Sequence, residues 1–193
     1  DGGAGNDTVT LADALGANNV TEDDTVTGGE GVDTLVLATG TTYTATESAG
    51  SGISGFEVIA TAGASMVQNM SGLGENSIAV LAIGGTGASG TIQEGAISTV
   101  VASNSGTAVL GLATDSAADA LTVSVGHSAT GSGAKSLALS AQDYETLTIS
   151  STGADGNSVT LGTTEASYLA TTAAEIAART AAFAARTASD LTS

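Results

Sequence analysis

The sequence predicts an all-β fold: a parallel β-roll or β-solenoid, followed by an irregular β-rich solenoid or sandwich, and closed by a C-terminal helix. Three observations predict it. A glycine-rich nonapeptide recurs near the start, runs of four to six β-type residues alternate with Gly, Ser and Asn, and the last thirty residues turn to alanine. These textures divide the chain into residues 1–40, 41–163 and 164–193.

The first segment carries the clearest pattern. Gly2-Gly3-Ala4-Gly5-Asn6-Asp7-Thr8-Val9-Thr10 reads G-G-x-G-x-D-x-(aliphatic)-x, and Gly28-Gly29-Glu30-Gly31-Val32-Asp33-Thr34-Leu35-Val36 reads the same way. Asp24-Thr25-Val26 repeats Asp7-Thr8-Val9 nine residues before Asp33, so Asn19 to Thr27 is a degenerate copy without its glycines. Leu11 to Asn18 would be a shortened turn. The aliphatic position, Val9, Val26 or Leu35, is expected to point into a narrow core. Such periodic self-similarity is the signature of stacked β-turn repeats.

Eight of the 20 acidic residues lie between Asp1 and Asp33, with no Lys or Arg among them. Carboxylates gathered without a positive partner repel one another on folding. They must stay solvated or hold a cation. Glycines free the chain for positive φ, so that carbonyls can turn inward, and Asp adds a hard charged oxygen. Calcium takes about six to eight such oxygens in flexible geometry. The competing reading is a series of Gly/Asp surface turns without an ion.

This stretch resembles the hemolysin-type calcium-binding repeats, also called repeats-in-toxin, of bacteria that use type I export. The resemblance implies Ca²⁺ as cofactor. It implies carboxylate ligands at Asp7, Asp24 and Asp33, and carbonyl ligands at Gly3, Gly5, Gly29 and Gly31. It further implies turns that alternate sides, with the turn ending at Asp7 stacked under the one ending at Asp24. The motif covers about 36 residues, and Asn19, Val20 and Glu22 depart from it.

The middle is Ala, Gly, Ser and Thr punctuated by expected strands: Phe56–Ile59, Ile78–Ile83, Ile97–Val101, Ala108–Leu110, Leu121–Val125, Ser136–Leu139, Tyr144–Ile149 and Ser158–Leu161. Gly55-Phe56-Glu57-Val58-Ile59 and Asp143-Tyr144-Glu145-Thr146-Leu147 share an aromatic–Glu–strand order. The expectation is an aromatic turned in and a Glu turned out, with a calcium or partner contact through the Glu as the alternative.

From about Thr164 two near-identical heptads, Ile176–Ala182 and Phe183–Ser189, put Leu169, Ile176 and Phe183 on one stripe. Alanine favours a helix, read over Glu165–Ser189 as a cap on its own domain or a seam for a second copy.

Several activities fall away. Three cations (Lys135, Arg179, Arg186) among 193 residues of net charge −17 offer no basic face for nucleic acid. Without Cys there is no disulfide, and a single His leaves no histidine-ligated zinc site. The longest apolar run, Ile78–Ile83, is far short of the ~20 residues that span a bilayer. Gly85-Thr86-Gly87-Ala88-Ser89-Gly90 matches G-x-G-x-x-G, but the text after it is strand-like rather than helical, so a Gly-rich turn is expected. Gly126-His127-Ser128-Ala129-Thr130 lacks the last glycine of a nucleophile elbow, and His127 adjoins Ser128 with no second His to act as base. Gly133-Ala134-Lys135-Ser136 lacks the P-loop glycine before Lys.

The order of acidic nonapeptides, a Gly-Phe-Glu strand and a long Ala/Thr/Ser/Val tract is similar to calcium-dependent bacterial surface-layer proteins. That similarity implies a non-enzymatic, secreted, self-assembling cell-surface protein. Its partners would be copies of itself, with cell-surface polysaccharide a further candidate. A repeat adhesin gripping a host, ice or polysaccharide surface stays open, although no regular Thr or aromatic ladder is evident in the sequence. So does an export and folding appendage of a secreted enzyme. The chain starts at Asp1 and is read as a piece of a longer protein.

Overall fold

Short aliphatic runs cannot bury both faces alone, so each must pair with many others. A computed structural model describes residues 1–11, 25–37, 42–43, 52–62, 65–73, 76–85, 87–126, 133–141, 143–152 and 156–162, and among these nearly all the regular structure is parallel β. One seven-stranded sheet is ordered β1 (Thr8–Leu11), β3 (Thr34–Leu37), β6 (Val58–Thr61), β8 (Val80–Ile83), β10 (Thr99–Ala102), β12 (Ala120–Val125) and β14 (Thr146–Ser151). A six-stranded sheet is ordered β15 (Ser158–Leu161), β13 (Ser136–Ala141), β11 (Gly106–Leu112), β9 (Ala88–Gly95), β7 (Ser65–Asn69) and β4 (Thr42–Tyr43). The two-residue strands β2 (Val26–Thr27) and β5 (Ile53–Ser54) form a third, short parallel pair.

From β6 onward successive strands alternate between the two large sheets, and every pairing is parallel. The return to the same sheet varies in length. It runs from Gly95 to Leu112, past a bulge, at the shortest and from Gly106 to Leu137 at the longest. Each of the eight expected segments contains a strand, although Phe56-Glu57, Ile78-Ala79, Ile97-Ser98 and Tyr144-Glu145 precede the strands that start at Val58, Val80, Thr99 and Thr146. The seven-stranded sheet draws its strands from between Thr8 and Ser151, and β3 pairs directly with β6.

Parallel register puts like over like. Val9, Leu35, Ile59, Leu81, Val100, Val123 and Ile149 form one inward row. Leu11, Leu37, Thr61, Ile83, Ala102 and Val125 form the next. From Leu35 to Val123 the first row is wholly buried. The opposing sheet supplies Met66, Ile92, Ala108, Leu110, Leu137 and Leu139. The sheets approach closely because some facing positions are empty: a Cβ on Gly90 would stand 3.2 Å from a Leu81 methyl and 3.3 Å from an Ile83 methyl. The buried core is mostly Ala, Val, Ile and Leu, with Phe56, Met66, Met70 and Tyr144 as larger members.

The G-x-G-x-x-G text splits between a bend and a strand. Gly85 and Gly87 lie in the connection, while Ala88-Ser89-Gly90 opens β9, and no helix follows. His127 and Ser128, and the proposed helix over 164–193, lie outside the described residues. At the far end of each sheet Ile149 and Leu161 stay 47% and 40% exposed. No helix among the described residues is long and apolar enough to cross a membrane.

Truncation in the middle of the inward row should be costly. Ile59→Ala is expected to lower unfolding free energy in urea by about 2–5 kcal/mol, whereas Thr122→Ala on the outer face should stay within about 0.5 kcal/mol. Equal losses at the two positions would contradict the assigned faces.

Candidate metal centre

The two complete glycine motifs are placed one over the other at the corner that leads into the seven-stranded sheet. Glu30 donates its N–H to the Gly3 carbonyl at 2.7 Å, and Gly5 donates its own to the Glu30 carbonyl at 2.7 Å, so Ala4 and Glu30 form a parallel bridge. Val32 donates to the Asn6 side-chain oxygen at 3.0 Å. Gly29 and Gly31 have φ of 116° and 144°, and a Cβ on either would come within 2.0 Å of the Gly3 or Gly5 carbonyl. Glycine is required there twice over, by conformation and by space.

The corner ending at Asp7 lies against the corner ending at Asp33; the expected stacking of Asp7 under Asp24 involves residues outside those described. Thr8 pairs with Thr34, and the Asp7 N–H reaches Asp33 Oδ1 at 2.7 Å across 26 residues. The reason lies in the intervening text. Two uninterrupted nonapeptides would make an 18-residue return, but Asp7 and Asp33 are 26 residues apart and the copy over Asn19–Thr27 has no glycine. Asp24 falls among residues 12–24, outside the described residues.

The acidic side chains form a column at this corner. Asp33 Oδ1 accepts the Asp7 amide at 2.7 Å, and Glu57 Oε2 accepts the Asp33 amide at 2.8 Å. Asp33 is wholly buried and Asp7 partly so. In each, the second oxygen, Oδ2, is buried without a hydrogen-bond partner. Both Oδ2 atoms turn back toward the first glycine of their own motif: a Cβ on Gly2 would lie 2.9 Å from Asp7 Oδ2, and one on Gly28 would lie 2.8 Å from Asp33 Oδ2. Lys135, the only basic side chain among the described residues, belongs to the connection before β13.

A buried carboxylate oxygen without a donor is costly. A hard cation relieves that cost, and the donors present are of the type Ca²⁺ takes: carboxylate oxygen and main-chain carbonyl. The structure places Asp7, Gly3 and Gly5 on one corner and Asp33, Gly29 and Gly31 on the corner stacked against it. The Gly3 carbonyl already spends one lone pair on Glu30. Among the described residues no three His, Cys, Asp or Glu side chains converge closely enough to hold an ion by themselves, so carbonyl oxygens or water would have to complete the shell.

The third corner is built differently. Gly55-Phe56-Glu57 replaces the six-residue motif, Phe56 is wholly buried, and Asn76 fills the gap. Asn76 accepts the Phe56 amide at 3.1 Å and donates to the Ile53 and Leu73 carbonyls at 2.8 and 3.1 Å. The second aromatic–Glu corner repeats it: Tyr144 is buried, and Glu145 Oε2 accepts the Asp119 amide at 2.8 Å. The aromatic is inward in both, as expected. Each Glu is used, unexpectedly, as an acceptor for the main chain one return earlier. Sequence spacing hides that partner, 24 residues away in one case and 26 in the other.

Tyr144 lines a small open pocket of about 220 Å³ together with Ile97, Leu112 and Asp119, and its hydroxyl donates to the Ile97 carbonyl at 2.5 Å. Burial, with Asp143 and Asp119 nearby, pushes the phenol's pKa well above its ordinary value. The chain matches no family model, no curated protein and no solved structure.

Two outcomes follow from this geometry. Gly29→Ala must move the Gly3 carbonyl, so it is expected to cost more than about 1 kcal/mol and to expose residues 1–11 to protease; unchanged digestion would contradict the stacking. Because the folded state disfavours ionised Tyr144, the stability it contributes is intact below the unfolded pKa of about 10 and is lost as pH rises above that. Urea midpoints at about pH 8 and 11 should therefore differ less in Tyr144→Phe than in the unsubstituted chain.

Proposed function

We propose that this chain is a non-enzymatic, Ca²⁺-stabilised segment of a secreted bacterial surface protein, built as a parallel β-solenoid and self-assembling into a surface layer or similar extracellular array. The observation that carries the reading is the pair of stacked glycine corners, in which Asp7 Oδ2 and buried Asp33 Oδ2 have no donor. The mechanism is thermodynamic linkage. Ca²⁺ binds the folded corner and not the open chain, offsets the carboxylate repulsion, and orders the first circuits. A site filled at 100 times its dissociation constant adds about 2.7 kcal/mol to folding. The acidic charge of the chain, −17 in all, makes assembly of copies depend on the same counter-ion.

A second reading is favoured by the register. On the outer face of the seven-stranded sheet, Thr8, Thr34, Val58, Val80, Thr99, Thr122 and Thr148 fall in one column. Thr10, Val36, Ala60, Ala82, Val101, Ser124 and Ser150 fall in the next. Neither column contains a charged side chain. An uncharged face with a threonine column of this kind suits the adhesin reading, with a regular polymer such as a polysaccharide as its target. Electron microscopy separates the two: sheets or filaments that need Ca²⁺ favour the array, and dispersed particles that bind polysaccharide favour the adhesin.

The calcium reading is tested by melting in Ca²⁺ and in chelator. The unsubstituted chain should melt lower in chelator, with residues 1–37 becoming protease-sensitive first. Asp33→Asn, which keeps an acceptor for the Asp7 amide, should melt alike in both. Unchanged circular dichroism and protease resistance of the unsubstituted chain in chelator would overturn the reading.

A further inference from the structure

We propose that Glu57 is a positioning residue for the cation site: it holds Asp33 from one return further along the chain, so that Asp33 Oδ2 alone is left to meet the ion. This role rests on the calcium reading above.

Three main-chain contacts tie Asp33 to the third corner. Glu57 Oε2 accepts the Asp33 amide at 2.8 Å, and the Asp33 carbonyl accepts the amides of Glu57 at 3.2 Å and Val58 at 3.0 Å. The carboxylate of Asp33 then spends Oδ1 on the Asp7 amide at 2.7 Å. Every polar group of Asp33 except Oδ2 is committed, and the residue is wholly buried. The oxygen is therefore aimed before a cation arrives, which reduces the ordering cost of binding.

The Asp119–Glu145 corner shows what the same clamp does without a ligand role. Glu145 Oε2 accepts the Asp119 amide at 2.8 Å, and the Asp119 carbonyl accepts the amides of Glu145 at 2.9 Å and Thr146 at 3.0 Å. Here both carboxylate oxygens of Asp119 are already occupied. Oδ2 accepts the Ser116 amide at 2.6 Å and Oδ1 accepts the Ser116 hydroxyl at 3.0 Å. No glycine motif stacks on that corner. The clamp thus recurs in the fold, and of these two Glu-clamped corners the one that holds Asp33 leaves a buried oxygen over.

A positioning role and a ligand role separate by variant. Glu57→Gln keeps an acceptor oxygen at full reach and loses the charge. Glu57→Asp keeps the charge and falls one methylene short of the Asp33 amide. Calorimetric titration of the full chain with CaCl₂ is the readout, with Glu145→Asp as the matched control. Positioning partners of metal ligands typically contribute about 10–100-fold in affinity, so Glu57→Asp should weaken Ca²⁺ binding by at least about tenfold. Glu57→Gln should stay within about threefold, and Glu145→Asp should lower the melting temperature in chelator without changing Ca²⁺ affinity. Wild-type affinity in Glu57→Asp, or a loss in Glu57→Gln as large as in Glu57→Asp, would overturn the positioning role while leaving the calcium reading standing. A chain that takes up no Ca²⁺ in its unsubstituted form would overturn both.

Discussion

Parallel pairing in register is the constraint on which everything else depends. It sets each residue directly beside its counterpart one return away, so a side chain is repeated through the stack rather than complemented. Aliphatic rows build a core at little cost, since identical shapes nest. Thr and Val columns do the same on the outer face. Charge is the exception. Repetition sets Asp7 and Asp33 on one corner, where their side chains cannot help one another electrostatically. Main-chain amides take up Asp33 Oδ1 and Glu57 Oε2 and leave Asp7 Oδ2 and Asp33 Oδ2 without a donor, and the proposed counter-ion would take those.

Main-chain amides supply the first part of that solution. Asp33 accepts from Asp7, and Glu57 accepts from Asp33. Each carboxylate thereby caps the strand entry one return before it. The Asp119–Glu145 corner uses the same bond and then closes its carboxylate with Ser116. At the glycine corners no such hydroxyl is supplied, and the absence of side chains beyond Cα makes room for the Oδ2 atoms instead. The difference between a structural corner and a candidate ion corner is therefore one of residual valence at the oxygen, rather than of charge alone.

Much of this was legible in the sequence. The strands from Val58 to Leu161 were readable because β-branched and aliphatic runs are separated by Gly, Ser and Asn. The two glycine motifs were readable as copies of one pattern. The stacking partner of Asp7 was not, because counting nonapeptides presumes an unbroken period that the text between Leu11 and Thr25 does not keep. The strands β7 and β9 were harder for a related reason. Ser65–Asn69 and Ala88–Gly95 hold few aliphatics, and Gly90 is in a strand because the opposing Leu81 and Ile83 need its space. The threonine column was invisible because its members are separated by returns of unequal length. The Glu57 and Glu145 acceptor bonds lay hidden for the same reason: register, not spacing, decides what a side chain meets.

The central claim is that the corner of Asp7 and Asp33 is a cation site. Anomalous diffraction from crystals of the chain grown in Ca²⁺ tests it most directly. The account predicts a peak about 2.3–2.6 Å from Asp7 Oδ2, Asp33 Oδ2 or both, with main-chain carbonyls completing the shell. Well-ordered corners with no peak, and both Oδ2 atoms hydrogen-bonded to water or protein, would contradict it.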